Sequence, residues 1–298
     1  MFKVPLTRGL AAALIGLVVA PAAAHAGAIF PESGGSANAD DVKTLYVLIF
    51  VLAWLVFIPV AGALVWAMVK FRARKGQTAA QIHGNTRLEI GWTVGAFLIL
   101  VFITVFTFIT LPGIKNPAAS DIDANGNPVS ASNALYAATD QPPPPEGSAS
   151  MNIRVDGQQY VWRFQYPGRE RVFSYVDMVV PVGMTITLDI SADDVQHAWW
   201  IPNLGGKMDA TPGYVNKLWF KIPEDAIPEG QDSVVFHGQC AELCGRNHAN
   251  MVARVIGLRY PDYEAWYRGK TAEIKQARED AARKRDQIEN STTRDSQP

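Results

Sequence analysis

Residues Gly238–Met251 read GQCAELCGRNHANM, and this stretch holds both cysteines of the 298-residue chain. Cys240, Cys244, His248 and Met251 follow one another at intervals of four, four and three. Two thiols, an imidazole and a thioether spaced in this way can converge on one point, and three chemistries compete for them. A disulfide is the default for paired cysteines in an oxidising compartment. Zinc could take two cysteines, a histidine and a distant second histidine as a tetrahedron. A blue-copper type of site needs a thiolate, an imidazole and a weak thioether, here Cys244, His248 and Met251, plus one histidine from an earlier strand. His197, in DVQHAWWIP just after the strand-like MTITLDI, is that histidine's candidate. A disulfide leaves the histidines unexplained and zinc leaves Met251 unexplained, so the spacing favours copper. Cys240 is one thiol more than a one-copper site uses. Two thiolates can bridge two metal ions, and the inferred centre is a copper pair with His197 and His248 as terminal ligands, suited to electron transfer.

Outward from this loop, MNIRV, QQYVWRFQY, MTITLDI, NKLWFKI and SVVFHG are short apolar or alternating runs separated by Pro and Gly. Ile186, Leu188 and Ile190 share one face of their run, and Leu218, Phe220 and Ile222 share one face of theirs. That period of two marks half-buried strands. Residues 151–270 therefore predict an all-β sandwich or barrel with one sizeable core. Residues 271–298 form a charged tail, whose first part reads as a solvated helix and whose last residues read as disordered. On the other side, residues 112–150 contain the run Pro142–Pro145 and few large apolar side chains, and read as a linker. No internal repeat stands out.

Further outward the chain turns apolar. Thr44–Val69 and Ile90–Leu111 are 26 and 22 residues without a charge. Each is long enough to cross a hydrocarbon layer of roughly 30 Å as a helix, so residues 27–111 predict a transmembrane hairpin, kinked but not ended at Pro59. Between the spans, Lys70, Arg72, Arg74, Lys75 and Arg87 stand against one acid, Glu89. A short basic loop belongs in the cytoplasm. Residues 1–26 carry Lys3 and Arg8, an apolar run from Leu10 to Ala20, and Ala24-His25-Ala26, the layout of a signal peptide cleaved after Ala26. The expectation is a multi-pass protein of the bacterial cell membrane, in contact with lipid, with its β domain on the extracytoplasmic side. From Pro112 onward 24 acids face 19 bases, a balance that suits a basic protein partner. No nucleic-acid partner is expected. No C-x-x-C-H occurs, so no c-type haem is attached to this chain.

GQCAELCGRNHANM, DVQHAWWIP, the KMDATPG segment and the twin spans together resemble subunit II of the haem-copper cytochrome c oxidases. The resemblance covers nearly all of the chain outside the signal, linker and tail. It implies a cupredoxin-like Greek-key sandwich with a binuclear copper A centre, held by His197, Cys240, Cys244, His248, Met251 and the backbone carbonyl of Glu242. It also implies that the Glu242 side chain helps bind a magnesium ion at the interface with subunit I. Glu89 corresponds to a family glutamate near the mouth of a proton-uptake channel formed mainly by subunit I; by itself it is a carboxylate favouring a helix N-terminus. Tyr160, in GQQYVWRFQYPG, stands where the family often has the tryptophan that receives electrons from cytochrome c, and Trp162 matches a later aromatic of that cluster. By themselves both are more often core aromatics. His83 reads as a loop residue, and His237 as a surface or supporting residue beside the copper loop.

The implied activity is that of a proton-translocating oxidoreductase. Copper A takes an electron from a c-type cytochrome and passes it to haem in subunit I, with further oxidase subunits as partners, and no catalytic residue lies in this subunit. The quinol-oxidising branch of the family lacks the copper ligands, and nitrous oxide reductase shares the loop but not the two-span hairpin. A membrane-anchored copper-binding module, a chaperone or sensor without an oxidase partner, is the alternative from another class.

Overall fold

The computed structural model describes residues 29–73, 76, 78, 81–123, 125–126, 149–168 and 170–295. The expected signal peptide, Arg74 and Lys75 of the basic loop, and residues 127–148 of the expected linker lie outside the described residues.

Two helices come first, α1 over Ala37–Lys70 and α2 over Thr86–Lys115. Both are long and apolar enough to cross a membrane. Their large apolar side chains, such as Leu55, Val69, Phe108 and Ile109, point outward. In lipid that costs nothing, because a helix satisfies its own backbone. Pro59 lies inside α1 and does not end it. At the start of α2, the Asn85 side chain accepts from Leu88 N–H at 3.2 Å, and Asn85 N–H donates to Glu89 Oε1 at 3.3 Å. This reciprocal pairing caps the helix.

Ten strands follow: β1 Ser150–Gln158, β2 Val161–Gln165, β3 Phe173–Tyr175, β4 Asp177–Pro181, β5 Thr185–Ala192, β6 His197–Trp199, β7 Met208–Ala210, β8 Asn216–Lys221, β9 Ser233–Gln239 and β10 Val252–Leu258. They form a five-stranded sheet in the order β3-β2-β1-β5-β8, a three-stranded sheet β4-β10-β9 and a β6-β7 pair. β1 lies parallel to β5 and β4 parallel to β10, while the other ladders are antiparallel. Ile153, Trp162, Phe164, Ile186, Leu188, Ile190 and Val255 fill the space between the two larger sheets. The result is a β-sandwich anchored to a helical hairpin.

The period of two holds along β5 and fails along β8. Phe220 is buried, and so is its neighbour Trp219, which alternation would leave in solvent. The Trp219 indole donates to Ile114 O at 2.9 Å, at the end of α2, and Trp219 O accepts from Asn38 Nδ2 at 2.8 Å, at the start of α1. Lys221 N–H donates to Ser36 Oγ at 3.0 Å. The hairpin ends thus cover the outer face of β8 and hold the sandwich in a fixed place above them.

The structure corrects both flanks of the sandwich. The first described part of the 112–150 segment is not a loose linker. α2 continues to Lys115, Ile122 enters the core, and the buried Ser120 Oγ accepts Thr185 N–H at 2.8 Å and donates to Ala149 O. Nor is the tail confined to 271–298: α3 runs from Tyr260 to Asp295. It starts early because Tyr263 and Ile274 are buried and Trp266 packs against Tyr166 with ring centroids 5.1 Å apart. From residue 275 to 289 the helix is mostly exposed and charged, and it continues to Asp295 through residues expected to be disordered.

Candidate metal centre

β6 and the β9–β10 loop meet at one end of the sandwich. Gln239 N–H donates to Trp200 O at 3.1 Å, Ala241 N–H to Ala198 O at 2.9 Å and Cys240 N–H to Met251 O at 2.8 Å. The loop is thus closed on itself and sewn to β6. Gly238 makes this approach possible, since a Cβ there would lie 2.1 Å from Trp200 O. Gly157 does the same under the site, where a Cβ would lie 3.0 Å from His197 Cδ2 and 3.1 Å from the Trp162 ring.

These contacts bring five of the expected side-chain ligands together. Cys240 Sγ and Cys244 Sγ are 3.9 Å apart, about twice a disulfide bond, and both thiols are free and buried. His197 Nδ1 is 3.9 Å from Cys240 Sγ, and His248 Nδ1 is 3.5 Å from Cys244 Sγ. Met251 Sδ is buried 3.8 Å from Cys244 Sγ. Glu242 O lies 3.2 Å from Cys240 Sγ, whereas the Glu242 residue as a whole is exposed. His197, Cys240 and Cys244 alone place their donor atoms within 4.8 Å of one another. The donors are two soft sulfurs with an imidazole on either side and a thioether, and no carboxylate oxygen belongs to the group. That set fits copper better than a hard cation.

The two thiols are electrostatically unlike. Burial works to raise the Cys240 pKa, but hydrogen bonds from His197 and from the backbone at Ala198 and Glu242 outweigh it and lower the value to about 6. Burial pushes Cys244 up, and the neighbouring Cys240 charge adds to this, to about 11. One thiolate thus forms readily and opposes the second, and a cation between them removes that opposition. Burial also acts to lower the His197 pKa, yet contacts with Cys240 and Asp194 raise it overall. Asp194 Oδ1 lies 2.8 Å from His197 Nε2, and hydrogen bonding there holds the carboxyl below its ordinary range despite its desolvation. This orientation leaves Nδ1 facing the sulfurs.

The other expected residues fall into place around this group or away from it. Trp162 is buried and meets the His197 ring edge-on at 5.9 Å. Tyr160 is half-buried in the β1–β2 turn beside Gly245, where a Cβ would lie 2.7 Å from its hydroxyl. His237 is exposed on β9 and His83 is exposed in the loop between the helices. Glu89 stands at the far end of α2 and takes no part in the sulfur group. Gln159, not singled out from the sequence, donates its main-chain N–H to Asp194 Oδ2 and its side-chain amide to Cys244 O, both at 2.7 Å. Asp194, three residues before His197, belongs to no motif that marks it as the partner of that histidine.

Comparison with known proteins follows the same outline. A family model described as "Cytochrome C oxidase subunit II, periplasmic domain" matches residues 171–257, and one described as the transmembrane domain of the same subunit matches residues 23–110. Cytochrome c oxidase subunit 2 of Thermostichus vulcanus is 30% identical over 289 residues, which cover 88% of this chain and 84% of that one. The chain belongs to the cytochrome c oxidase subunit II family. The subunit 2 of Alkalihalophilus pseudofirmus is 33% identical over 245 residues, 81% of this chain but only 62% of that longer relative. Among solved structures, the periplasmic domain of subunit II from Bradyrhizobium japonicum is 28% identical, covers 41% of this chain and 94% of its own, and superposes with a TM-score of 0.37. This member of the subunit II family is a membrane-anchored protein with its β domain outside the cytoplasm, and both matched regions agree with the hairpin and sandwich described above.

Proposed function

We propose that this chain is the electron-accepting subunit of a cytochrome c oxidase, and that His197, Cys240, the Glu242 carbonyl, Cys244, His248 and Met251 hold a binuclear copper A centre. The observation that carries this reading is the pair of free, buried sulfurs 3.9 Å apart with an imidazole Nδ1 beside each. When bound, the copper pair supplies a one-electron relay between a c-type cytochrome and the haem of subunit I, where oxygen is reduced and protons are pumped. The protein's own residues prepare the site. The thiols lie out of water, Asp194 holds His197 so that Nδ1 faces inward, and the backbone closure at Cys240 and Met251 keeps the loop's shape before metal arrives. Fixed donors of this kind need little rearrangement between oxidation states.

In this proposal the exposed Glu242 side chain reaches a magnesium ion shared with subunit I, Glu89 lies at the mouth of its proton channel, and Tyr160 and Trp162 receive the electron. The setting is a bacterial cell membrane with the other oxidase subunits alongside. Electron paramagnetic resonance on the copper-loaded, detergent-solubilised chain tests the centre. The expected hyperfine pattern is that of one electron shared by two coppers, and a single-copper pattern overturns the assignment. Purification from native membranes tests the assembly: a haem-bearing subunit accompanies an oxidase subunit, and its absence leaves the chain a copper-binding module.

A further inference from the structure

Gln159 touches both ligand-bearing segments of the centre. Its main-chain N–H donates to Asp194 Oδ2 at 2.7 Å, and the other oxygen of Asp194 is 2.8 Å from His197 Nε2. Its side-chain Nε2 donates to Cys244 O at 2.7 Å. Gly245, which follows Cys244, has φ +132° and no room for a side chain, since a Cβ would lie 2.7 Å from the Tyr160 hydroxyl and 2.9 Å from Gln159 Nε2. The β1–β2 turn therefore lies directly against the peptide that follows a sulfur ligand. Gln158, the neighbour of the same type, sends its amide to Asp193 Oδ2 at 2.7 Å, on the surface, and its side-chain bond does not reach the sulfur loop.

We propose that Gln159 is a positioning residue: its side chain fixes the peptide of Cys244, and through it the direction of that sulfur, while tying the Tyr160 turn to the metal loop. The physical basis is that a carbonyl held at hydrogen-bond distance fixes the rotation of its peptide plane, and that plane sets the Cα–Cβ direction of Cys244. Without the bond, the Cys244–Gly245 peptide can turn, because Gly245 carries no Cβ to resist it. Electron sharing between two metals depends on where their bridging sulfurs sit, so the inference rests on the copper reading for its spectroscopic consequence. The tie itself belongs to the protein alone.

The test uses the full chain in detergent with Gln159→Met, which keeps the side-chain length and the main-chain bond to Asp194 but removes the donor to Cys244. Gln158→Met is the matched control. In metal-free protein, hydrogen exchange over residues 240–251 should quicken about fivefold in Gln159→Met, the scale of one lost neutral hydrogen bond, and stay unchanged in the control. After copper loading, Gln159→Met should still hold two coppers, with altered hyperfine splitting and a shifted midpoint potential, while Gln158→Met matches the unsubstituted chain. Exchange indistinguishable from the unsubstituted chain, or a control that moves as far as Gln159→Met, overturns the proposal, and so do an unchanged spectrum and potential in a Gln159→Met chain that holds both coppers. An unsubstituted chain that holds no copper pair brings down the copper reading instead, and the exchange comparison then decides on the tie.

Discussion

Cys240 and Cys244 sit four residues apart in one loop, yet their environments give them opposite acid strengths, about 6 and about 11. Cys240 therefore gives up its proton more readily than Cys244. A bridging sulfur must be a thiolate, so copper binding would displace the proton that Cys244 holds more tightly, and affinity should rise with pH through the neutral range. Chelator competition at pH 7 and pH 8 measures this slope, and equal affinities at the two values would contradict the assigned thiol states. If both sulfurs bridge the proposed copper pair and the thioether binds weakly, Cys240→Ser or Cys244→Ser should abolish the shared-electron spectrum, whereas Met251→Leu should keep copper and shift its potential. A Cys240→Ser chain that retained the shared-electron signal would refute the bridging role. These donors were legible in the sequence because the chemistry lies in the side-chain types and their spacing. The work of Asp194 and Gln159 was not, because Asp194 meets His197 through a local turn that no motif announces, and Gln159 reaches the Cys244 carbonyl only once the β1–β2 turn and the metal loop have folded against each other.

Strands were read from periodicity and spans from the length of uncharged runs, and the strands were legible wherever one surface covers each face. β5 keeps its period of two because the core takes Ile186, Leu188 and Ile190. β8 breaks the pattern because the ends of α1 and α2 cover its second face, and no local pattern announces a contact between Trp219 and Ile114, 105 residues apart. For the same reason the start of α3 was missed: its first turns are aromatic to pack on the sandwich, while its charged remainder reads as a tail. Trp219→Phe keeps an aromatic ring of smaller volume and leaves Ile114 O without its indole partner. It should cost about 1 kcal/mol and speed proteolysis in the 116–126 segment; cleavage at the original rate would show that the contact does not hold the junction. The facing ends of α1 and α2 and the loop between them carry five basic residues, Lys70, Arg72, Arg74, Lys75 and Arg87, a balance that favours the cytoplasmic side for this loop. Protease added to spheroplasts should remove the β domain and spare this loop, and cleavage within it from outside would reverse the proposed topology.

At the scale of the whole molecule, the hairpin ends hold the sandwich from one side, through Asn38, Ser36 and Ile114, and the metal loop presents its own exposed rim. Asp193, Asp194, Asp209 and Glu242 are exposed, as are the apolar Leu243, Tyr214 and Val215. A surface with acids around an apolar patch suits a basic cytochrome c with an exposed haem edge, where charges steer the approach and apolar contact seats it. If this is the donor, reduction of the copper-loaded chain should slow as salt rises, because exposed charges are screened over about 8 to 10 Å. Tyr160 separates the two steps of the encounter. Its hydroxyl lies beside Gly245, next to a sulfur ligand, so if Tyr160 receives the electron as proposed, Tyr160→Leu should slow electron delivery at saturating cytochrome while leaving the salt dependence of association in place. A tyrosine that serves only packing behaves otherwise: the substitution then lowers thermal stability and leaves the rate unchanged in the folded fraction. Stopped-flow reduction over a range of ionic strengths, read beside thermal unfolding of the same variant, separates the two. A rate that responds neither to salt nor to Tyr160→Leu would move the docking site to another face of the sandwich and leave the copper assignment standing on its own geometry.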